Sequence, residues 1–218
     1  LWVMVGQRRP DQITKDLRRM VGPGVEVLQA EAQAIDPTRS RVRADGQELA
    51  YDYLVIALGA DLAPDALPGY REAAHNFFAL EGAVKSWQAL TRFAGGRALV
   101  LVSSLPYKCP AAPYEAAMLV DDALRRRGVR GRSEVEVYSP EAQPMPVAGP
   151  AMGDAVTQML AAKDILFHPG RQVQSIDAAR RELVFTDGNR EPFDFLAAVP
   201  PHRAPAVLRS SGLTSEAG

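Results

Sequence analysis

Two kinds of hydrophobic pattern alternate along the chain. Short, almost unbroken apolar runs such as Tyr53-Leu-Val-Ile-Ala-Leu58 and Arg97-Ala-Leu-Val-Leu-Val102 have the length and composition of buried strands. Between them, residues 71–92 read as a loop and then a helix, with Leu80, Val84, Trp87 and Leu90 recurring on one face. After strand 97–102 the pattern predicts a helix from Tyr114 to Arg127, stopped by Gly128, and a strand over residues 134–138. A further helix over 151–163 is expected to turn Met152, Val156, Met159 and Leu160 inward, and Pro144, Pro146 and Pro150 stiffen the loop before it. This strand–helix alternation predicts an α/β fold on a parallel sheet.

A repeat organises the chain. Ile35-Asp36, Asp45-Gly46 and Tyr51-Asp-Tyr-Leu54 are answered by Ile176-Asp177, Asp187-Gly188 and Phe193-Asp-Phe-Leu196. Each copy reads as a strand, a polar turn, a second strand ending at Asp-Gly, and a buried apolar strand, since Asp-Gly supplies the positive φ of a tight hairpin. A duplicated unit with a hairpin after each nucleotide-binding half is the plan of a two-dinucleotide-domain flavoprotein. The copies end differently: Ala57-Leu-Gly-Ala60 offers small residues for close backbone approach, whereas Ala198-Val-Pro-Pro-His-Arg-Ala-Pro205 is rigid and poor in amide donors.

The turn between strand 97–102 and the next helix is where a dinucleotide fold carries its glycine-rich phosphate loop. Here it reads Leu105-Pro-Tyr-Lys-Cys-Pro-Ala-Ala-Pro-Tyr-Glu115, with no Gly-x-Gly-x-x-Gly and with the only cysteine of the chain, Cys109. A thiol ionises near pH ~8.5 and reacts as the thiolate. A helix N-terminus and Lys108 favour that form, Pro110 and Pro113 make the turn rigid, and Glu115 suits both the helix end and proton transfer. His75, His168 and His202 show no metal-ligand spacing, so no metal site is expected. Of the three, His202 sits where the second copy's strand ends.

The 218 residues carry a net charge of −1, with basic residues dispersed, which excludes a nucleic-acid surface. Arg125-Arg126-Arg127 closes a helix and offsets its dipole. No apolar run approaches the ~18 residues of a membrane span, and a single cysteine suits a reducing, cytoplasmic setting. The chain opens in mid-pattern at Leu1-Trp-Val-Met-Val-Gly6 and closes without a final element, so both ends read as cut.

Lys108-Cys-Pro-Ala-Ala-Pro-Tyr-Glu-Ala-Ala117 resembles the central motif of the sulfide:quinone oxidoreductase and flavocytochrome c sulfide dehydrogenase group. That group lies within the FAD-dependent pyridine nucleotide-disulfide oxidoreductases. Trp2-Val-Met-Val-Gly6, residues 51–60 and residues 193–205 are similar to further segments of the same family. The resemblance implies two Rossmann-like halves with inserted β-hairpins, the first incomplete at its N-terminus. Residues 1–92 would be an incomplete FAD-binding segment with a connecting helix, 93–204 the second half with the Cys turn, and 205–218 a truncated return segment.

By the same resemblance Cys109 is a redox cysteine near the flavin, with Lys108 and Glu115 beside it. Gly59, Ala60, Ala32 and Pro110 approach the FAD. The implied partners are a small sulfur substrate, sulfide or a related thiol, and a quinone or other electron acceptor. The resemblance is compatible with a homo-oligomer, and a quinone acceptor implies peripheral association with a membrane. The sequence also departs from the family: Phe78 stands where a further cysteine is common, and Gly82 where a histidine is. The cysteine that pairs with the central one belongs to the family's C-terminal third, so the chain is expected to be inactive alone. Two other readings stay open, an NAD(P)H-dependent disulfide or NADH–quinone reductase relative, and a non-catalytic domain in which Cys109 is packed.

Overall fold

The computed structural model describes residues 1–214. They form two compact units, one made of Leu1–Ile13 with Ala63–His202, the other of Thr14–Leu62 with the segment from Arg203 on. In the larger unit the opening turn and the helix ending at Arg92 pack with the later parallel sheet.

The smaller unit is built on three antiparallel strands, β1 (Ala32–Asp36), β2 (Arg41–Ala44) and β3 (Gln47–Ala50). Asp45 and Gly46 both take positive φ, 46° and 79°, as a two-residue hairpin joining β2 to β3 requires. The expected return segment contributes a helical turn, Ala206–Ser210, and Ser211 Oγ accepts the Ile35 N–H at 3.1 Å. The rest of that segment, residues 215–218, lies outside the described residues.

The larger unit carries β4 (His75–Asn76), α1 (Leu80–Arg92), β5 (Gly96–Val102), α2 (Ala112–Arg126), β6 (Ser133–Tyr138), α3 (Pro150–Ala161) and β7 (Ile165–His168). A second antiparallel hairpin sheet follows, β8 (Val173–Asp177), β9 (Glu182–Phe185) and β10 (Arg190–Pro192), and then the apolar strand β11 (Phe195–Val199). The five parallel strands run in the order β4-β11-β5-β6-β7, with Ala197 opposite Val100 and Val100 opposite Val137. Alternation of side chains divides the strands between two cores. Ala98, Val100, Val102, Val135, Val137, Phe195 and Ala197 meet the helices and the buried turn Val3–Val5. Leu99, Leu101, Leu196 and Ala198 face the hairpin sheet through Val173, Ile176, Leu183 and Phe185.

Several expectations change. Each repeat copy has a third strand, β3 or β10, after its Asp-Gly turn. Only the second copy's apolar run is a strand. Residues 53–58 pair with no neighbour and are exposed, from 38% at Leu54 to 95% at Tyr53. Met152 and Met159 point outward, because α3 covers only the edge strand β7 and needs a narrow stripe of Gly153, Val156 and Leu160. Leu80 is exposed as well, whereas Leu90 is buried and Val84 and Trp87 pack against the core as expected, with Ala83 and Ser86 buried beside them.

Candidate active site

The Cys turn grows from the C-terminal end of β5, the central strand between β11 and β6. Ser103 anchors its start, donating both its N–H and its hydroxyl to the Val199 carbonyl, while its own carbonyl accepts the Gln172 amide at 3.1 Å. Leu105–Pro106 is a cis bond. Cys109 has φ +59°, the left-handed region that L-residues other than glycine enter at a cost of about 1 kcal/mol or more. Its carbonyl accepts the Ala112 N–H at 2.9 Å, which starts α2 two residues earlier than the sequence pattern indicates, with Pro113 in the first turn. The Cys109 thiol is exposed on this chain. Lys108 and Glu115 are exposed beside it and Pro110 is half-buried. Burial lowers the pKa of the Leu1 ammonium while the charges of Glu115 and Cys109 oppose that, so the Val3–Val5 turn begins near the thiol.

A carboxylate that the sequence patterns do not single out holds this turn. Glu141, three residues past the end of β6 and 5% exposed, accepts the Tyr107 hydroxyl at 2.9 Å, the Tyr114 hydroxyl at 2.5 Å and the Ser139 hydroxyl at 3.2 Å on one oxygen, Oε2. Tyr107 Oη also lies 3.2 Å from the Pro110 carbonyl. Burial, and the proximity of Glu141, push both phenols well above the usual tyrosine range, so they stay protonated donors. A Glu three residues beyond a strand looks like any loop residue. Only the fold shows that the two tyrosines bracketing Cys109 converge on it.

His202 stands with Phe78 on the same unit, ring centroids 5.5 Å apart and edge to face. Its Nδ1 is 2.8 Å from the Pro200 carbonyl, which places the proton on Nδ1. Nε2 is then an acceptor, buried and without a partner among the described residues. Burial lowers the His202 pKa, the Pro200 bond opposes this, and the charge of Lys108 adds to it. Gly82 packs so closely that a Cβ would come 2.0 Å from the Asn76 carbonyl oxygen. No side chain fits there on this backbone, which gives the missing histidine a steric reason.

Lys108, Cys109 and Pro110 thus lie on one turn, and Glu115 in the first turn of the helix that follows it. Gly59, Ala60 and Ala32 belong to the smaller unit. Gly59, at φ +67°, has open space where a Cβ would stand, and Ala60 is half-buried. Ala32 begins β1 at a bulge, paired with Ala44. On the smaller unit, an open left-handed glycine after an apolar run leaves room for the close backbone approach of a nucleotide cofactor such as FAD.

A parallel sheet with helices on one face and a hairpin sheet on the other defines an α/β half of the nucleotide-binding kind, here with a thiol on the turn after its central strand. Comparison makes the class specific: the chain belongs to the pyridine nucleotide-disulphide oxidoreductase family, whose profile matches residues 4–199 and whose members are FAD-binding flavoproteins. Over its whole length it is 25% identical to the mitochondrial sulfide:quinone oxidoreductase of Mus musculus, covering 51% of that protein. It is 24% identical to the sulfide-quinone reductase of Aquifex aeolicus, with 95% of this chain and 50% of the relative aligned. The crystal structure of the Aquifex aeolicus sulfide:quinone oxidoreductase superposes with a TM-score of 0.79 at 22% identity, over 96% of this chain and 51% of that one. The chain therefore spans about half the length of the relatives it matches. No described helix is long and apolar enough to cross a membrane.

Proposed function

We propose that the chain is the central part of an FAD-dependent oxidoreductase that oxidises sulfide or a related thiol at Cys109 and passes the electrons to quinone or another acceptor. The observation that carries this reading is the exposed, left-handed Cys109 on the turn after β5, in a chain similar along its whole length to sulfide:quinone oxidoreductases. FAD, when bound, supplies the two-electron acceptor between sulfur and quinone.

The chain's own residues prepare that chemistry. The turn presents the Cys109 sulfur to solvent at the head of α2. Glu115, in the first turn of that helix, is placed to take up a proton from the incoming thiol or sulfide. Pro110 on the turn, and Gly59, Ala60 and Ala32 on the smaller unit, are the residues we assign to FAD. A quinone acceptor brings the protein to a membrane surface as a peripheral protein.

Anaerobic titration of the flavin in the intact protein tests the reading. Sulfide is expected to bleach it in the wild type and not in Cys109→Ser. Bleaching by NADH alone, with sulfide inert, would overturn it in favour of a nicotinamide-dependent reductase.

A further inference from the structure

Cys109 holds a backbone conformation that persists only where the surroundings over-determine it. Proline rigidity does not supply that, because Pro110 restricts the residue before it toward extended backbone, away from the left-handed region Cys109 holds. Tyr107 lies two residues before the cysteine and Tyr114 five after it, and both phenols end on the same carboxylate oxygen. Glu141 is itself fixed, with its N–H donating to Ser139 Oγ at 3.1 Å and its carbonyl accepting the Gly170 N–H at 3.0 Å. The turn is therefore tied at both shoulders to a rigid point beyond β6.

The place of Glu141 in the fold gives this clamp a further meaning. In a dinucleotide-binding half, a carboxylate past the second strand receives the ribose hydroxyls while the first turn holds the pyrophosphate. Here the first turn carries Cys109, and the carboxylate past β6 receives two phenolic hydroxyls from that turn's own shoulders. We infer that Glu141 is a positioning residue for Cys109: it binds Tyr107 and Tyr114 where a dinucleotide half would bind ribose, and so fixes the thiol's presentation. This rests on the reading of Cys109 as the reactive thiol.

With one cysteine in the chain, alkylation by iodoacetamide reports Cys109 alone. The pH–rate profile of the folded 218-residue chain is compared with that of the same chain in guanidinium. Wild type is expected to differ from the unfolded chain. Glu141→Gln and Tyr107→Phe should each move the rate near neutral pH by about threefold or more toward the unfolded value. Tyr138→Phe, which loses a hydrogen bond to Glu136 elsewhere, should keep the wild-type profile. Tyr107 is only half-buried, so its variant decides the matter if Glu141→Gln does not fold. Folded variants with the wild-type profile would overturn the positioning role and leave the reading of Cys109 standing. A wild-type profile equal to that of the unfolded chain would remove that reading, and the positioning role with it.

Discussion

The two copies of the repeat agree in their hairpins and part company immediately afterwards. Ser40 and Arg181, each five residues past the matching isoleucine, both take positive φ, 52° and 56°. Asp36 and Asp177 accept the N–H of Arg39 and Arg180 at 3.0 and 3.1 Å, and the carbonyls of Ser40 and Arg181 accept the N–H of Tyr51 and Phe193. Yet Tyr53 is 95% exposed where its counterpart Phe195 is 3% exposed. The second copy delivers its apolar run between β4 and β5, and the first delivers an equally apolar run to no strand. A hairpin is specified locally, whereas a parallel strand exists only through its neighbours.

The sharpest way to break this comparison is to delete the paired aromatics. Phe195 stacks on His75 at 5.2 Å and meets Phe93 edge to face at 6.4 Å. Phe195→Ala should cost roughly 3–5 kcal/mol in urea unfolding, and Tyr53→Ala no more than about 0.5 kcal/mol. Equal costs would mean that residues 53–58 are as well packed as β11.

A smaller effect separates the two units by acid. Every charged side chain buried among the described residues lies in the larger unit. The most connected is Glu136, which accepts Arg97 Nε at 2.7 Å, Arg97 Nη2 and the Tyr138 hydroxyl at 3.0 Å, and lies 2.8 Å from His168 Nε2. Burial alone would raise its pKa, but the hydrogen bonds from His168 and Arg97, the Arg97 charge and Tyr138 together hold it at about 2, against 4.5 for a free Glu. A carboxylate depressed in the folded state contributes its full stabilisation above pH 4.5 and loses it as pH falls toward 2, on the order of 3 kcal/mol. Hydrogen exchange should show β5, β6 and β7 losing protection through that window. In Glu136→Gln, protection starts lower and its dependence on pH in the same window flattens.

The sequence carries much of the fold because the strongest signals are local. Strand 97–102, helix α2 and the strand now seen as β6 are close to where periodicity places them, and the repeat is real down to its hydrogen bonds. The errors share one cause, burial decided by distant partners. Met152 and Met159 follow helical spacing but face away from a narrow contact, and residues 53–58 follow strand composition without a sheet to join. At the candidate site Cys109 is conspicuous because it is the only cysteine of the chain and stands beside prolines in a turn where glycines are expected. Glu141 is not, since its role depends on meeting two tyrosines from a segment about 30 residues earlier in the chain.

The smallest effect tests whether the hairpins are equivalent in energy as well as geometry. Ser40 and Arg181 both bear the penalty of a left-handed backbone, so glycine relieves strain at either position while adding freedom to the unfolded chain. The Ser40 side chain makes no hydrogen bond among the described residues to weigh against that relief, and Ser40→Gly should stabilise the smaller unit by about 0.5 kcal/mol. Arg181 instead donates to the Asp194 carbonyl and lies over the Phe193 ring at 5.9 Å. Losing both contacts should turn the same substitution into a destabilisation of about 0.5–1 kcal/mol, read as a shift in urea midpoint. Opposite signs at two matching backbone positions would show that hairpins alike in geometry differ in energy through the contacts of a single side chain, Arg181.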